Sequence, residues 1–260
     1  MTCRRELTVS CADWAEVPGL VHGTTTRAAL PEPGKLDFFD AVERARGVGA
    51  VPEWPAVGAD QVHGAHLEVI AEVDGLRARG VRRNEGADAY EFPETDALIA
   101  LAPGVLLVIQ TADCLPVLLV DAERRRVGLA HCGWRGLLAG LAEKTARAMI
   151  EAGSRPAALR AWLGPCAGAA RYEVGCELVD RFRRAFAEID PAVISSEGTH
   201  LDLAAIARER LIGAGVEAGN ILASGECTLT ERARYHSYRA EGERAGRMLS
   251  FIGFEASAAG

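Results

Sequence analysis

The sequence predicts an α+β chain built on mixed β-sheets. Three observations lead there: three apolar, β-branched runs follow one another between residues 105 and 130 with only turn-length breaks, an amphipathic helical repeat begins directly after the third, and strand and helix patterns elsewhere do not alternate strictly. Strands outnumber strict βαβ units and several neighbours are joined by turns, so a mixed-sheet fold is expected rather than a doubly wound one. No repeat period and no Gly/Ser or charged linker divides the chain, and residues 1–260 read as one domain.

In order along the chain, residues 31–59 are the least readable. Prolines and glycines surround a short helical patch at 38–46, and the region is expected to be a surface excursion near the site. A short alternating strand follows at 66–70. The three central runs, 105–109, 115–120 and 126–130, read as buried strands, with Thr111-Ala112-Asp113-Cys114 as the first break and a turn at 122–125 as the second. Behind the third strand, HCGWRG opens one helix whose inner stripe is residues 137, 138, 141, 145, 148 and 149, apolar apart from Thr145, with a stop at Gly153. A strand at 159–163, helices at 176–189 and 203–212, a short strand at 220–223 and a closing segment at 248–254 complete the reading.

Composition narrows the function. At 49% hydrophobic and 25% charged, 260 residues can bury a substantial core. The formal charge of −7 offers no general pull toward nucleic acid or an anionic membrane. Of 29 basic residues only Lys35 and Lys144 are lysines, so positive charge sits on planar guanidinium groups suited to anions. Seven dispersed cysteines, at 3, 11, 114, 132, 166, 176 and 227, form no C-x-x-C pair and argue against a disulfide framework. The N-terminal MTCRRELTVSCADW has no apolar run for a signal, and residues 104–120 are broken by Gln110, Thr111 and Asp113, so no membrane segment and a cytoplasmic location are expected.

Candidate chemistry gathers at strand ends. Cys114 stands between two predicted strands, and His131 ends the next, just before a helix whose first turn carries Gly133, Trp134, Arg135 and Gly136. Such a helix start, with Arg135 beside it, is an anion site, and its field would favour a thiolate at Cys114 or at the adjacent Cys132. His63, in Asp60-Gln61-Val62-His63-Gly64, supplies a second imidazole. Two imidazoles and one thiolate suit zinc and leave a fourth position for substrate. The spacing itself matches no short metal signature, so other readings stay open: a metal-free cysteine hydrolase with Cys114 as nucleophile, His131 as base and Asp113 or another acid to orient it; a copper oxidase, for which six histidines are few; and a zinc-stabilised binding module closed by a fourth ligand such as Cys132 or Cys166.

The segments DQVHG (60–64), TDALIA (95–100), TADCLPVLLVD (111–121), HCGWRG (131–136), WLGP (162–165), YEVG (172–175), HLDL (200–203), SYR (237–239) and GRM (246–248) resemble, in order, the bacterial laccase-domain family. That family is known as polyphenol oxidase and peptidoglycan editing factor, and as zinc-dependent purine nucleoside phosphorylase. The resemblance implies layered mixed sheets with helices outside, and one zinc per chain on His63, Cys114 and His131, with copper as the lesser alternative. It also implies phosphorolysis of adenosine, inosine or methylthioadenosine, with possible deamination of adenosine. Arg27, Gln61, Asp113, Arg135 and Arg239 are the expected substrate and phosphate contacts, and a monomer or weak homodimer is expected. The chain departs from the family pattern after Thr25-Thr26-Arg27, where AALPEPGKLDFF replaces a glycine-rich loop; at Cys132, where alanine is usual; and at Cys227-Thr228, which keeps only part of a C-T-x-C motif.

Overall fold

The central apolar runs are continuous rather than alternating because the strands that carry them are covered on both faces. The structure, a computed structural model, describes residues 6–72, 76, 81–84 and 88–256. In chain order the first half contains β1 (Thr8–Val9), β2 (Leu20–Thr25), α1 (Phe38–Gly47), β3 (Ala56–Ala59), β4 (Leu67–Ile70), β5 (Arg82–Asn84), β6 (Ala89–Phe92), β7 (Ala97–Ala100) and β8 (Leu106–Thr111). The second half adds β9 (Leu115–Asp121), β10 (Arg126–Cys132), α2 (Trp134–Leu138), α3 (Leu141–Glu151), β11 (Leu159–Leu163) and α4 (Cys176–Ala185). It ends with α5 (Pro191–Ile194), α6 (Leu203–Gly213), β12 (Ile221–Ala223), α7 (Tyr238–Glu241) and β13 (Met248–Phe254).

The strands form two sheets, a seven-stranded one in the order β1-β2-β13-β8-β3-β6-β5 and a six-stranded one in the order β12-β11-β9-β10-β7-β4. Both are mixed, as expected: β3 runs parallel to β6 and β8, β4 to β7 and β11 to β12, and the other pairs are antiparallel. Between the sheets, Leu107, Ile109 and Ile252 of the first share one buried cluster with Leu118, Leu129 and Trp162 of the second. On the far side of the six-stranded sheet, Leu115, Val117 and Leu119 pack with Leu141 of α3, Phe182 of α4 and Ile206 of α6. On the far side of the seven-stranded sheet, Leu106, Val108 and Phe251 are covered by Phe38 and Val42 of α1. Successive residues of β8 and β9 therefore alternate between two dry interfaces, which leaves no polar face to produce a period of two in the sequence.

Two expectations are corrected. Within 31–59 only residues 31–37 form an exposed or half-buried excursion beside the site, with Lys35 in the cavity wall; the rest does not, since Phe38, Phe39, Ala41, Val42 and Ala45 of α1 are buried, and β3 lies inside the seven-stranded sheet between β8 and β6. The strand is hard to read because it is short and small, and Gly58 has to be small: a Cβ there would lie 2.2 Å from the Phe38 ring. The single helix expected behind His131 is two, α2 and α3, broken at Gly140, whose φ of 83° continues no right-handed helix. The expected helix at 176–189 ends earlier, at Ala185. Among the described residues no helix is long and apolar enough to cross a membrane. Cys11, Cys114, Cys132, Cys166, Cys176 and Cys227 are free, in line with the absence of a disulfide framework, and Cys3 lies outside the described residues.

Candidate metal centre

Antiparallel pairing explains how residues 114 and 131 meet. β10 and β9 are neighbours with His131 opposite Pro116 and Cys132 opposite Leu115, so one further step of that register sets Cys114 against Gly133. Gly133 leaves room for the thiol, since a Cβ there would lie 2.9 Å from Cys114 Sγ and 3.1 Å from His63 Cδ2. His63 arrives separately, on the connection that leaves β3 of one sheet and enters β4 of the other, and Cys114 lies on the analogous crossing from β8 to β9. Both crossings turn sharply, with φ of 59° at His63 and 83° at Asp113. One donor atom from each of His63, Cys114 and His131 lies within 4.8 Å of the others, and among the described residues no further His, Cys, Asp or Glu joins the group. The two imidazole centroids are 4.8 Å apart, nearly edge to face. Two nitrogens and a sulfur from three separate elements can hold a metal ion, and the donor set fits a borderline-soft one such as zinc.

Asp96, at the foot of β7, is fully buried behind this group. Its Oδ1 accepts from His131 Nδ1 (2.9 Å) and from the His63 N–H (3.0 Å), and its Oδ2 accepts from the N–H groups of Gly64 (2.6 Å) and Val62 (3.3 Å). Burial acts to raise the Asp96 carboxyl, but the hydrogen bond and charge of His131 and these backbone donors hold it below the usual carboxylate range. Burial likewise opposes a charged Cys114, yet the His131 imidazolium, with a contribution from His63, brings its pKa down to about 6. His131 is the converse: burial lowers it, and the Cys114 thiolate and Asp96 raise it to about 9. Cys132, beside His131 in the chain, points the other way. It packs with Leu115 and Ala130 against the helices, and burial pushes its thiol well above the ordinary value. The expected thiolate is therefore Cys114 and not Cys132.

The group forms the floor of a cavity of about 480 Å³ whose walls include Lys35, Gln110, Trp134, Tyr172, Tyr238 and Glu243. Of the expected contact residues, Gln61, Asp113, Arg135 and Arg239 line it, together with Arg247, which motif reading left inside the string GRM. Arg27 is not among the lining residues; it pairs with Glu241 and donates to the Tyr235 carbonyl (3.1 Å). Gln61 is engaged with the β8 backbone, donating to the Gln110 carbonyl (2.7 Å) and accepting from its N–H (2.8 Å). Asp113 accepts from Thr228 Oγ1 (2.6 Å), Ser237 Oγ (3.0 Å) and the Arg239 N–H (2.7 Å), and so ties the Cys114 turn to α7. Three arginines lie over wall aromatics: Arg135 over Trp134 (4.2 Å), Arg239 over Tyr172 (5.1 Å) and Arg247 over Tyr238 (5.4 Å). These rings offer flat apolar faces beside cationic edges.

Residues 40–255 match the family described as multi-copper polyphenol oxidoreductase laccase. The chain is 34% identical to a purine nucleoside phosphorylase of Xylella fastidiosa (strain Temecula1) over 94% of its own length and 97% of the relative's. It is 33% identical to an adenosine deaminase from an unknown prokaryotic organism, covering 74% of this chain and 72% of that one. The crystal structure of the hypothetical protein YfiH of Bacillus licheniformis superposes with a TM-score of 0.80 at 27% identity, covering 95% of this chain and 96% of that one.

Proposed function

Because the chain belongs to the multi-copper polyphenol oxidoreductase laccase family, we propose that it is a single-domain purine nucleoside phosphorylase in which His63, Cys114 and His131 hold one zinc ion. The observation that carries this reading is the convergence of three metal-ligating side chains on the floor of a cavity walled by aromatic rings and arginines. Six histidines in the whole chain, two of them at the centre, suit one ion better than a cluster of coppers. The likeness to purine nucleoside phosphorylases supports adenosine, inosine or methylthioadenosine as substrate, and the likeness to an adenosine deaminase supports deamination of adenosine as a side activity.

In the reaction, an oxygen of inorganic phosphate attacks the anomeric carbon, the bond from that carbon to the purine nitrogen breaks, the phosphate's proton passes to the departing base, and the products are the corresponding sugar 1-phosphate (ribose 1-phosphate from adenosine or inosine) and the free purine. Arg135, Arg239, Arg247 and Lys35 are the cations at the cavity wall, and they hold the phosphate and offset its charge next to the sugar. Trp134, Tyr172 and Tyr238 give the base faces to lie against. A bound zinc ion would supply Lewis-acid polarisation at the open side of the three donors. The expected phosphate cradle at a long helix start is reduced, because α2 spans five residues only; the arginines carry that task. Incubation of metal-replete protein with inosine and phosphate should yield hypoxanthine and ribose 1-phosphate. A panel of nucleosides that all stay intact would reject the reading.

A second reading is favoured by one observation. Without metal, Cys114, His131 and Asp96 form a thiolate, an imidazolium and an orienting carboxylate in sequence, the arrangement of a cysteine nucleophile. The orienting acid would be Asp96 and not Asp113, whose carboxylate is occupied elsewhere. An amidase acting on cell-wall precursors would use such a site. Trapping of a covalent adduct at Cys114 in metal-free protein favours it, whereas one zinc per chain, lost in Cys114→Ala, favours the phosphorylase.

A further inference from the structure

We infer that Asp96 is the positioning residue of this centre, holding His131 by its ring and His63 by its backbone so that both imidazoles stay turned toward Cys114. This rests on the metal reading above and adds to it a residue that touches neither substrate nor ion. A carboxylate with no exposed surface is costly to bury unless it is paired and fully hydrogen-bonded. Among the described residues Asp96 meets that requirement through the metal-binding segments alone: one oxygen on His131 Nδ1 and the His63 N–H, the other on the N–H groups of Gly64 and Val62. Its backbone joins the same strands, accepting from the His131 N–H (2.8 Å) and donating to the His66 carbonyl (3.1 Å).

An ionised carboxylate can only accept, so His131 Nδ1 must carry a proton. In the neutral ring the lone pair is then on Nε2, the nitrogen left for an ion. The backbone bonds act on the other ligand. They hold residues 62–64 in the turn that puts His63 at a φ of 59°, a conformation a histidine seldom adopts unaided. An asparagine at 96 cannot do both tasks. With its oxygen toward the backbone donors of Gly64 and Val62, its amide faces His131 Nδ1, donates to it, and sends the ring proton to Nε2. With the amide reversed, it opposes those backbone donors.

Zinc affinity of wild type and Asp96→Asn, measured by competition with a chromophoric chelator, tests this, alongside the visible spectrum of the cobalt(II)-substituted proteins and a thermal melt. Asp96→Asn should bind zinc about 10- to 100-fold more weakly and show a changed cobalt spectrum while still melting cooperatively. Affinity within twofold of wild type with an unchanged spectrum overturns the inference and leaves the metal reading standing. If Asp96→Asn does not fold, the ring tautomer of His131 in zinc-loaded wild type, read by nitrogen-15 NMR, decides: a protonated Nδ1 with Nε2 on the metal supports the inference, and a protonated Nε2 overturns it. Wild type that takes up no zinc rejects the metal reading itself, and the inference with it.

Discussion

A thiol and an imidazole buried side by side would each favour the neutral form; here each instead stabilises the charge of the other. Cys114 is a thiolate above about pH 6, and His131 keeps its second proton until about pH 9. A metal ion needs the thiolate and a bare ring nitrogen, so between those values the thiol has nothing to lose while His131 must surrender the Nε2 proton and keep the one facing Asp96. Zinc binding to metal-free protein at pH 7.5 should therefore release about one proton from this pair, with the release growing as the pH falls through 6 and shrinking as it rises through 9. Calorimetric titration in buffers of different ionisation heat measures this, and release near zero at pH 7.5 would contradict the ion pair. The three candidate donors were singled out in the sequence by their chemistry beside predicted strand ends and by the strings QVHG, TADC and HCGWRG, not by their spacing. Asp96 was not, because a lone carboxylate before a four-residue strand has the look of an ordinary turn residue. The distinction between Cys114 and Cys132 depends on strand parity: His131, in step with Leu129, is on the face of β10 turned to the seven-stranded sheet, and Cys132 is on the face turned to the helices.

Elements declared themselves in proportion to their length and apolar content. β8, β9, β10, β11 and β13 stand within two residues of the segments read from the sequence, as does α6, because each is a continuous or strongly patterned run. β2 (LVHGTT), β3 (AVGA) and β7 (ALIA) carry histidine, glycine or alanine where a strand signal would need branched side chains, and pairing within the sheets, rather than intrinsic propensity, defines them. The division between α2 and α3 rests on Gly140, whose neighbours Leu138 and Leu141 fit one helical stripe and hide the break. Gly140→Ala must accommodate a side chain at a φ of 83° and 2.8 Å from Glu143 Oε1. It should lower stability by roughly 1–2 kcal/mol from the left-handed backbone alone, and more if Glu143 cannot move. Urea denaturation of the variant checks this; unchanged stability would mean that α2 and α3 can join without strain.

For the molecule as a whole, cohesion comes from three dry interfaces: helix α1 on the first sheet, sheet on sheet, and sheet on the remaining helices. The candidate metal site lies at one end of the middle interface, and none of its three side chains belongs to a buried apolar cluster. Chelation should thus abolish nucleoside phosphorolysis while the far-ultraviolet circular dichroism stays native, and zinc should restore activity. Loss of the spectrum on chelation would instead indicate an ion that holds the fold together. The two chain crossings that deliver His63 and Cys114 have one more result. Donors anchored where backbone passes from sheet to sheet cannot be moved without undoing strand pairing, whereas Lys35, Tyr172, Tyr238 and Arg247 sit on peripheral segments outside the strands. Substitution can recarve the jaws of such a vice while its anvil stays put.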